Sequence, residues 1–188
     1  MNLWFRLLLT LLLSPRRPRS GLMNACLTPF RVLPSDLDTA VHMNNGVYFS
    51  LSDLARVDYM IRSRTLAILR RRRWFPVVAA ETIQFHRALQ PFERFFIETL
   101  LVGWDERTFF IRHRFFRHRV DGELAAEVWI RGLMARKSGG TLPISELIDA
   151  LGNPPRPAPM PDWVVAWAAA MDANRERHKR GSAPAPQG

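Results

Sequence analysis

The apolar positions of the chain recur at different periods along its length, and the order of those periods outlines a fold. The first thirteen residues, MNLWFRLLLTLLL, place Asn2, Arg6 and Thr10 four apart with Leu, Trp and Phe on the other sides, which predicts a helix with a narrow polar seam. Residues 30–33 read as a short strand ending at Pro34, and SDLDTAVHMNNG reads as a loop. Asn44 or Asn45 is suited to cap a helix that starts near Gly46. In that helix Val47, Leu51, Leu54, Ala55 and Ile61 share one face, as burial against a sheet requires. The helical pattern runs on through residues 65–69 before an arginine run and Pro76.

Four segments of period 2 follow. Val77, Ala79, Ile83 and Phe85 share a face in the first, and Phe95, Ile97 and Leu101 in the second. Phe109, Ile111, His113 and Phe115 share one in the third, and Leu124, Ala126, Val128, Ile130 and Met134 in the fourth. Period 2 sustained four times in succession predicts an antiparallel sheet. The GWDE and VDG segments between them fit hairpin turns. The domain is expected to close near Gly152, where NPPRPAPMPD begins with five prolines in ten residues and reads as an extended linker. Asp162 is placed to cap a short helix, and the charged residues from Arg175 on read as disordered. The expected organisation is therefore a hydrophobic helix with a basic flank over residues 1–20, a domain over 21–152, linker and short helix over 153–174, and a tail over 175–188.

Composition narrows the function classes. No stretch of ~18 apolar residues exists to span a bilayer, and the single cysteine, Cys26, excludes an internal disulfide framework and a CxxC-type zinc site. The net charge of +10 comes from 25 Arg against Lys137 and Lys179. Five arginines and no acid precede residue 36, and a second acid-free block holds Arg62, Arg64 and residues 70–73. Such blocks suit phosphates or anionic lipid. Nucleic acid is not an expected partner, because no stacking aromatics are interleaved with the runs. The arginines at 70–73 lie so far along a straight helix from its N-terminus that they suit the phosphates of a ligand held there only across a dimer. The N-terminal helix fits either an interfacial membrane helix or one that docks on its own domain. If it is interfacial, a chain beginning at Ser20 is expected to be more soluble and to lose association with anionic vesicles.

GxSxG, GxGxxG, phosphate-loop and HExxH patterns are all absent. What remains is one dense polar cluster, residues 36–45, between a strand and a helix N-terminus. A helix N-terminus offers unpaired N–H groups and a positive partial charge, which polarise a carbonyl and stabilise the charge that develops on it in acyl transfer. A carboxylate beside it can attack or activate water. The same residues equally suit an Asx turn and a helix cap with no chemistry. Asp58 and Glu81 are two further acids that fall in phase with apolar residues; a bulge or a salt bridge to Arg87 accounts for Glu81. His113 reads as a core histidine.

The segment PSDLDTAVHMNNGVYFSLSDLARVDY resembles the motif of the hotdog-fold acyl-CoA thioesterases of the 4-hydroxybenzoyl-CoA thioesterase superfamily, in which D-x-D-x-x-G-H-x-N-N-x-x-Y leads into the central helix and an acidic-x-x-Arg follows. The match falls on Asp36, Asp38, His42, Asn44, Asn45, Tyr48, Asp53 and Arg56. The resemblance covers about residues 30–152 and implies an α+β hotdog fold, with an antiparallel sheet wrapped around a long central helix. It implies Asp38 as the catalytic carboxylate, with the N–H groups of Asn45 to Val47 holding the thioester oxygen and Asp58 as a competing helix carboxylate. His42, Asn44, Gly46, Val47 and Tyr48 are expected to line the substrate, with no cofactor and no metal. The pattern departs at Val41, where Gly is usual; if that Gly serves a positive φ, the loop here is expected to take another path. The implied partners are an acyl-CoA substrate and a second copy, as a homodimer or a tetramer. The expected location is cytoplasmic, with peripheral attachment at the inner membrane face if residues 1–19 take up lipid. A hotdog protein that binds acyl-CoA or docks on a membrane or partner without turnover is the alternative.

Overall fold

The computed structural model describes residues 3–181, with side chains through residue 178. Its first strand, β1 (Cys26–Arg31), begins well before the strand expected at residues 30–33. It runs antiparallel to β3 (Arg94–Trp104) from Cys26 opposite Thr99 to Arg31 opposite Arg94. Pro29 sits within it without breaking the ladder because β1 is a sheet edge, where one N–H can be missing. β2 (Trp74–Phe85), β4 (Phe109–Arg117) and β5 (Leu124–Arg136) complete a five-stranded antiparallel sheet in the order β1-β3-β4-β5-β2. Gly132 is required in the middle of β5: a Cβ there would stand 2.2 Å from the ring of Phe109.

β2 departs from the expected alternation. Its pairing with β5 passes from Val78–Gly132 to Ala80–Arg131, so Ala79 is bulged out, and a bulge reverses the phase of all that follows. Val77, Ala79 and Phe85 are exposed rather than buried, and so is Glu81. The bulge does not carry Glu81 off the core face: Glu81, Ile83 and Phe85 stand opposite the buried Ile130, Val128 and Ala126, and it is Val77, ahead of the bulge, that falls on the other face. The salt bridge expected for Glu81 does not form either, since Arg87 pairs with Glu123 at 2.7 Å. Partial desolvation and the nearby Asp53 push the Glu81 carboxyl above its usual range against the pull of Arg56.

The helix α2 (Asn45–Arg62) lies over the sheet and buries Tyr48, Leu51, Leu54, Ala55 and Tyr59 in the core. It stops where one continuous helix was expected. Ser63 turns its hydroxyl to Thr65 at 2.9 Å, Arg64 takes φ +62°, and a second helix, α3 (Thr65–Arg72), starts afresh. Local hydroxyl bonding competes with helix continuation, and the turn brings Leu69 into the core. A short helix α4 (Ile144–Ala150) closes the domain. In a separate unit, α5 spans Asp162–Gly181. Residues 175–181, expected to be disordered, continue this helix, because Arg, Glu and Lys are good helix formers whatever their solvation; residues 182–188 lie outside the described residues.

His113 sits in β4 with no exposure, its Nδ1 2.9 Å from the Thr99 hydroxyl. Burial first, and the Arg56 charge second, hold its pKa well below the ordinary value. The unfolded chain takes up this proton below about pH 6.5 while the folded chain does not. Stability therefore falls as pH drops from about 6.5 toward 5, and His113→Gln, which keeps a partner for Thr99, is expected to flatten that slope in urea unfolding. An unchanged slope would mean that other groups set it.

α1 (Leu3–Leu13) docks on the domain, and it does so by its polar seam. Arg6 and Thr10 are buried, with Ser14 just beyond the helix end. The Thr10 hydroxyl donates to the Arg6 carbonyl at 2.8 Å and the Ser14 hydroxyl to the Thr10 carbonyl at 2.6 Å. Arg6 reaches the Arg31 carbonyl and the Asp36 carboxylate at 3.1 and 2.5 Å. Asn2 lies outside the described residues.

Candidate active site

The loop from Leu33 to Asn44 is braced by Asp36. Its carboxylate accepts from the Leu33 N–H at 2.8 Å and from Arg6, and its carbonyl accepts from the Asn44 N–H at 2.8 Å. Leu37 and Met43 form an isolated bridge that closes the loop base. Within it, Asp38 Oδ1 accepts from the Ala40 N–H at 2.9 Å, an Asx turn, and more weakly from His42 at 3.4 Å. The Asp38 N–H donates to the His42 carbonyl at 2.9 Å. Asp38 Oδ2 has no hydrogen-bond partner among the described residues.

Val41 holds φ +60° at an exposed position. The loop therefore keeps the path that glycine favours, and the β-branched residue bears the strain. The left-handed conformation costs an L-residue roughly 1–2 kcal/mol, so Val41→Gly is expected to raise stability by about 1 kcal/mol after the unfolded-state entropy of glycine is subtracted. Denaturant unfolding measures it; a loss of stability would show that the Val41 side chain makes a compensating contact.

At the helix start, Asn44 is the cap. Its Oδ1 accepts from the Gly46 N–H at 2.8 Å, and its carbonyl accepts from the Val47 N–H at 3.0 Å. Of the three N–H groups expected to face a ligand, those of Gly46 and Val47 are thus engaged. The Asn45 N–H alone has no partner among the described residues.

A cavity of about 270 Å³ opens beside the helix start, lined by Asp38, His42, Met43, Asn45, Tyr48 and, from the end of β2 onward, Phe85, His86 and Arg87. The loop and the helix start thus bring Asp38, His42, Asn45 and Tyr48 together. Asn44, Gly46 and Val47 lie beside the cavity in the cap rather than in its lining. Tyr48 forms the floor, buried and packed edge-on to Phe85 and tilted against Phe115, both at 5.1 Å. Burial pushes its hydroxyl above the ordinary pKa, so it stays neutral. Phe85, His86 and Arg87 were not anticipated as site residues. They reach it only because β2 ends beside the loop, a juxtaposition that no local spacing encodes.

Asp58 is placed elsewhere. It lies 13 residues further along α2, roughly 20 Å away at the helical rise. It is fully buried between Arg17 and Arg62, each at 3.2 Å, with the Thr28 hydroxyl at 2.7 Å and the Cys26 thiol at 3.9 Å. Buried charges are paired, and this pair network fastens the segment after α1 and the strand β1 to the central helix. Desolvation pushes the Cys26 thiol up to about 11, which makes it inert as a nucleophile. The arginines at 70–73 do not line the cavity, and Arg72 stacks its guanidinium over Trp74 at 5.0 Å.

Comparison with known proteins decides the family. A model described as the thioesterase-like superfamily matches residues 32–168. The chain belongs to that superfamily. Its solved neighbours give the fold: a probable thioesterase, YbaW, from Escherichia coli superposes with a TM-score of 0.62 at 20% identity, covering 68% of this chain and 96% of that one. A mutant 4-hydroxybenzoyl-CoA thioesterase complexed with 4-hydroxybenzoyl-CoA superposes at 0.58 and 17%, covering 68% and 98%. The superfamily fold is thus the α+β hotdog that the motif implied. Among curated relatives, Protein THEM6 from Xenopus laevis is 38% identical over 84 residues, 45% of this chain and 41% of that protein. Protein THEM6 from Danio rerio is 35% identical over 108 residues, 57% and 53%. The matches span about half the length of these relatives.

Proposed function

We propose that this superfamily member hydrolyses an acyl-CoA thioester in the cavity at the start of α2. The observation that carries the reading is one juxtaposition: an Asp38 carboxylate with one oxygen pinned and the other unpartnered, near the unengaged Asn45 N–H, in a cavity lined by the buried Tyr48. The thioester oxygen accepts from the Asn45 N–H at the positive end of the helix. Asp38 takes a proton from water as the water adds to the carbonyl, or adds to it directly. The C–S bond then breaks. In the water route the proton held by Asp38 passes to the leaving sulfur, so that CoA departs as its thiol and the acid is released. Direct addition instead expels the CoA thiolate and leaves an Asp38–acyl anhydride, which a water hydrolyses to the acid and the free carboxylate, its proton going to the thiolate. Arg87 and His86 stand exposed at the rim, where guanidinium suits the phosphates of the nucleotide end.

The active form in this reading is a homodimer. β2 is a sheet edge with Phe75, Val77, Val78 and Phe85 exposed, and an apolar edge of this kind is normally covered. Phe85 belongs both to that edge and to the cavity, so a second copy on β2 would finish the cavity wall. One observation favours the non-catalytic alternative: with the Gly46 and Val47 N–H groups engaged, the carbonyl has a single backbone donor, enough to bind a thioester but a lean oxyanion site.

Thiol release by the pure full chain on aliphatic and aromatic acyl-CoAs of graded size, with light scattering to read the mass, is the test. Turnover of some members by a dimer is the expected result. A flat panel with CoA still bound would make the protein a binding module.

A further inference from the structure

α1 is built inside out. Arg6 and Thr10, its only polar residues among those described, face the domain at 6% and 5% exposure, while Trp4 stands at 74% and Leu3, Phe5, Leu8, Leu9, Leu11, Leu12 and Leu13 are all exposed. A helix docked by its polar stripe with leucine, tryptophan and phenylalanine turned outward is the reverse of a surface helix in water, and contiguous exposed apolar surface marks an interaction site.

We infer that the outward face of α1 is a docking surface for an anionic lipid bilayer, on which the helix lies flat and holds the domain at the membrane. Three observations select lipid over a protein partner. The apolar residues cover every side of the helix except the docked seam, whereas a partner helix covers one stripe and leaves the rest wet; an acyl-chain boundary surrounds them all. At the end of the helix Arg16 and Arg19 are exposed, and residues 1–35 contain no acid, which is the charge an anionic headgroup layer attracts. The helix of 11 residues, about 16 Å long, is too short to cross the hydrocarbon, and its buried salt bridge to Asp36 prevents it from turning its leucines inward. The surface therefore stays displayed and rigidly tied to the domain.

The test is flotation of the full chain with phosphatidylcholine vesicles, with and without phosphatidylglycerol. The variants are Leu8→Ser/Leu12→Ser, which leaves the buried seam intact, and Arg16→Gln/Arg19→Gln. The wild type is expected to float with the anionic vesicles. The leucine variant should lose roughly tenfold or more of that binding, and the arginine variant a similar factor on anionic vesicles only, both with unchanged melting temperature. Failure of the wild type to float would overturn the inference, as would variants that float equally well. Smaller particles for the leucine variant than for the wild type without lipid would also overturn it, by assigning the face to a second copy. Because flotation does not depend on turnover, a flat acyl-CoA panel leaves this result standing.

Discussion

Asp38→Asn is expected to lower kcat for acyl-CoA hydrolysis by ~10²-fold or more, the range a positioned base supplies, with KM within a few-fold of wild type. The substitution is conservative where the structure matters. The amide oxygen of Asn still accepts from the Ala40 N–H, so the turn that carries residue 38 survives. What is lost is the second carboxylate oxygen, which has no partner among the described residues and can neither take a proton nor add to a carbonyl once it is an amide nitrogen. Activity within a few-fold of wild type would remove Asp38 from the mechanism. Asp58→Asn, run beside it, discharges the anion that Arg17 and Arg62 share, and its effect is expected in the melting temperature rather than selectively in kcat.

Arg6→Met carries the largest effect on stability. Its guanidinium and the Asp36 carboxylate are 6% and 7% exposed and 2.5 Å apart, and removing one member of a buried pair costs about 3–5 kcal/mol because the other charge is left uncompensated. For a chain of this size that is a fall in melting temperature of about 6–20 °C. The loss should reach the site as well, since Asp36 holds both ends of the loop that carries Asp38, through the Leu33 and Asn44 N–H groups. Calorimetry reads the first effect and kcat the second; a melting temperature within about 2 °C of wild type would show that water replaces Arg6 without cost. The same geometry reverses one expectation drawn from the sequence pattern. A chain beginning at Ser20 lacks both Arg6 and Arg17 and so strips Asp36 and Asp58 together. It is expected to be less soluble than the full chain, and substitution of outward leucines is the sound way to test α1.

Several elements were legible in the sequence because their causes are local. The period-2 segments became β3, β4 and β5 within a residue or two at either end, since alternation reflects a sheet with one face buried. The Asn44 cap was legible because the short amide side chain and the apolar run behind it suffice to start a helix. The motif placed Asp38, His42, Asn45 and Tyr48 in one site because loop and helix start are contiguous in the chain. The strain at Val41 is visible from the sequence only as a question. That the loop keeps its path is settled by the contacts that brace it from both ends, chiefly those of Asp36.

The remaining features depended on partners far away in sequence. Periodicity showed that Arg6 and Thr10 share a stripe of α1, but not that the stripe turns inward; that was set by Asp36, 30 positions on. Alternation in β2 could not reveal the bulge at Ala79, because a bulge is a property of two paired strands. The apolar run after Ile61 hid the break at Arg64, and an acid on the core side of α2 became a structural ion pair only because Arg17 and Arg62 converge on it. The cavity took its second wall from the end of β2, which sits beside the loop through sheet order alone. Local chemistry fixes which residues share a face, while long-range pairing of charges and strands fixes which way that face looks.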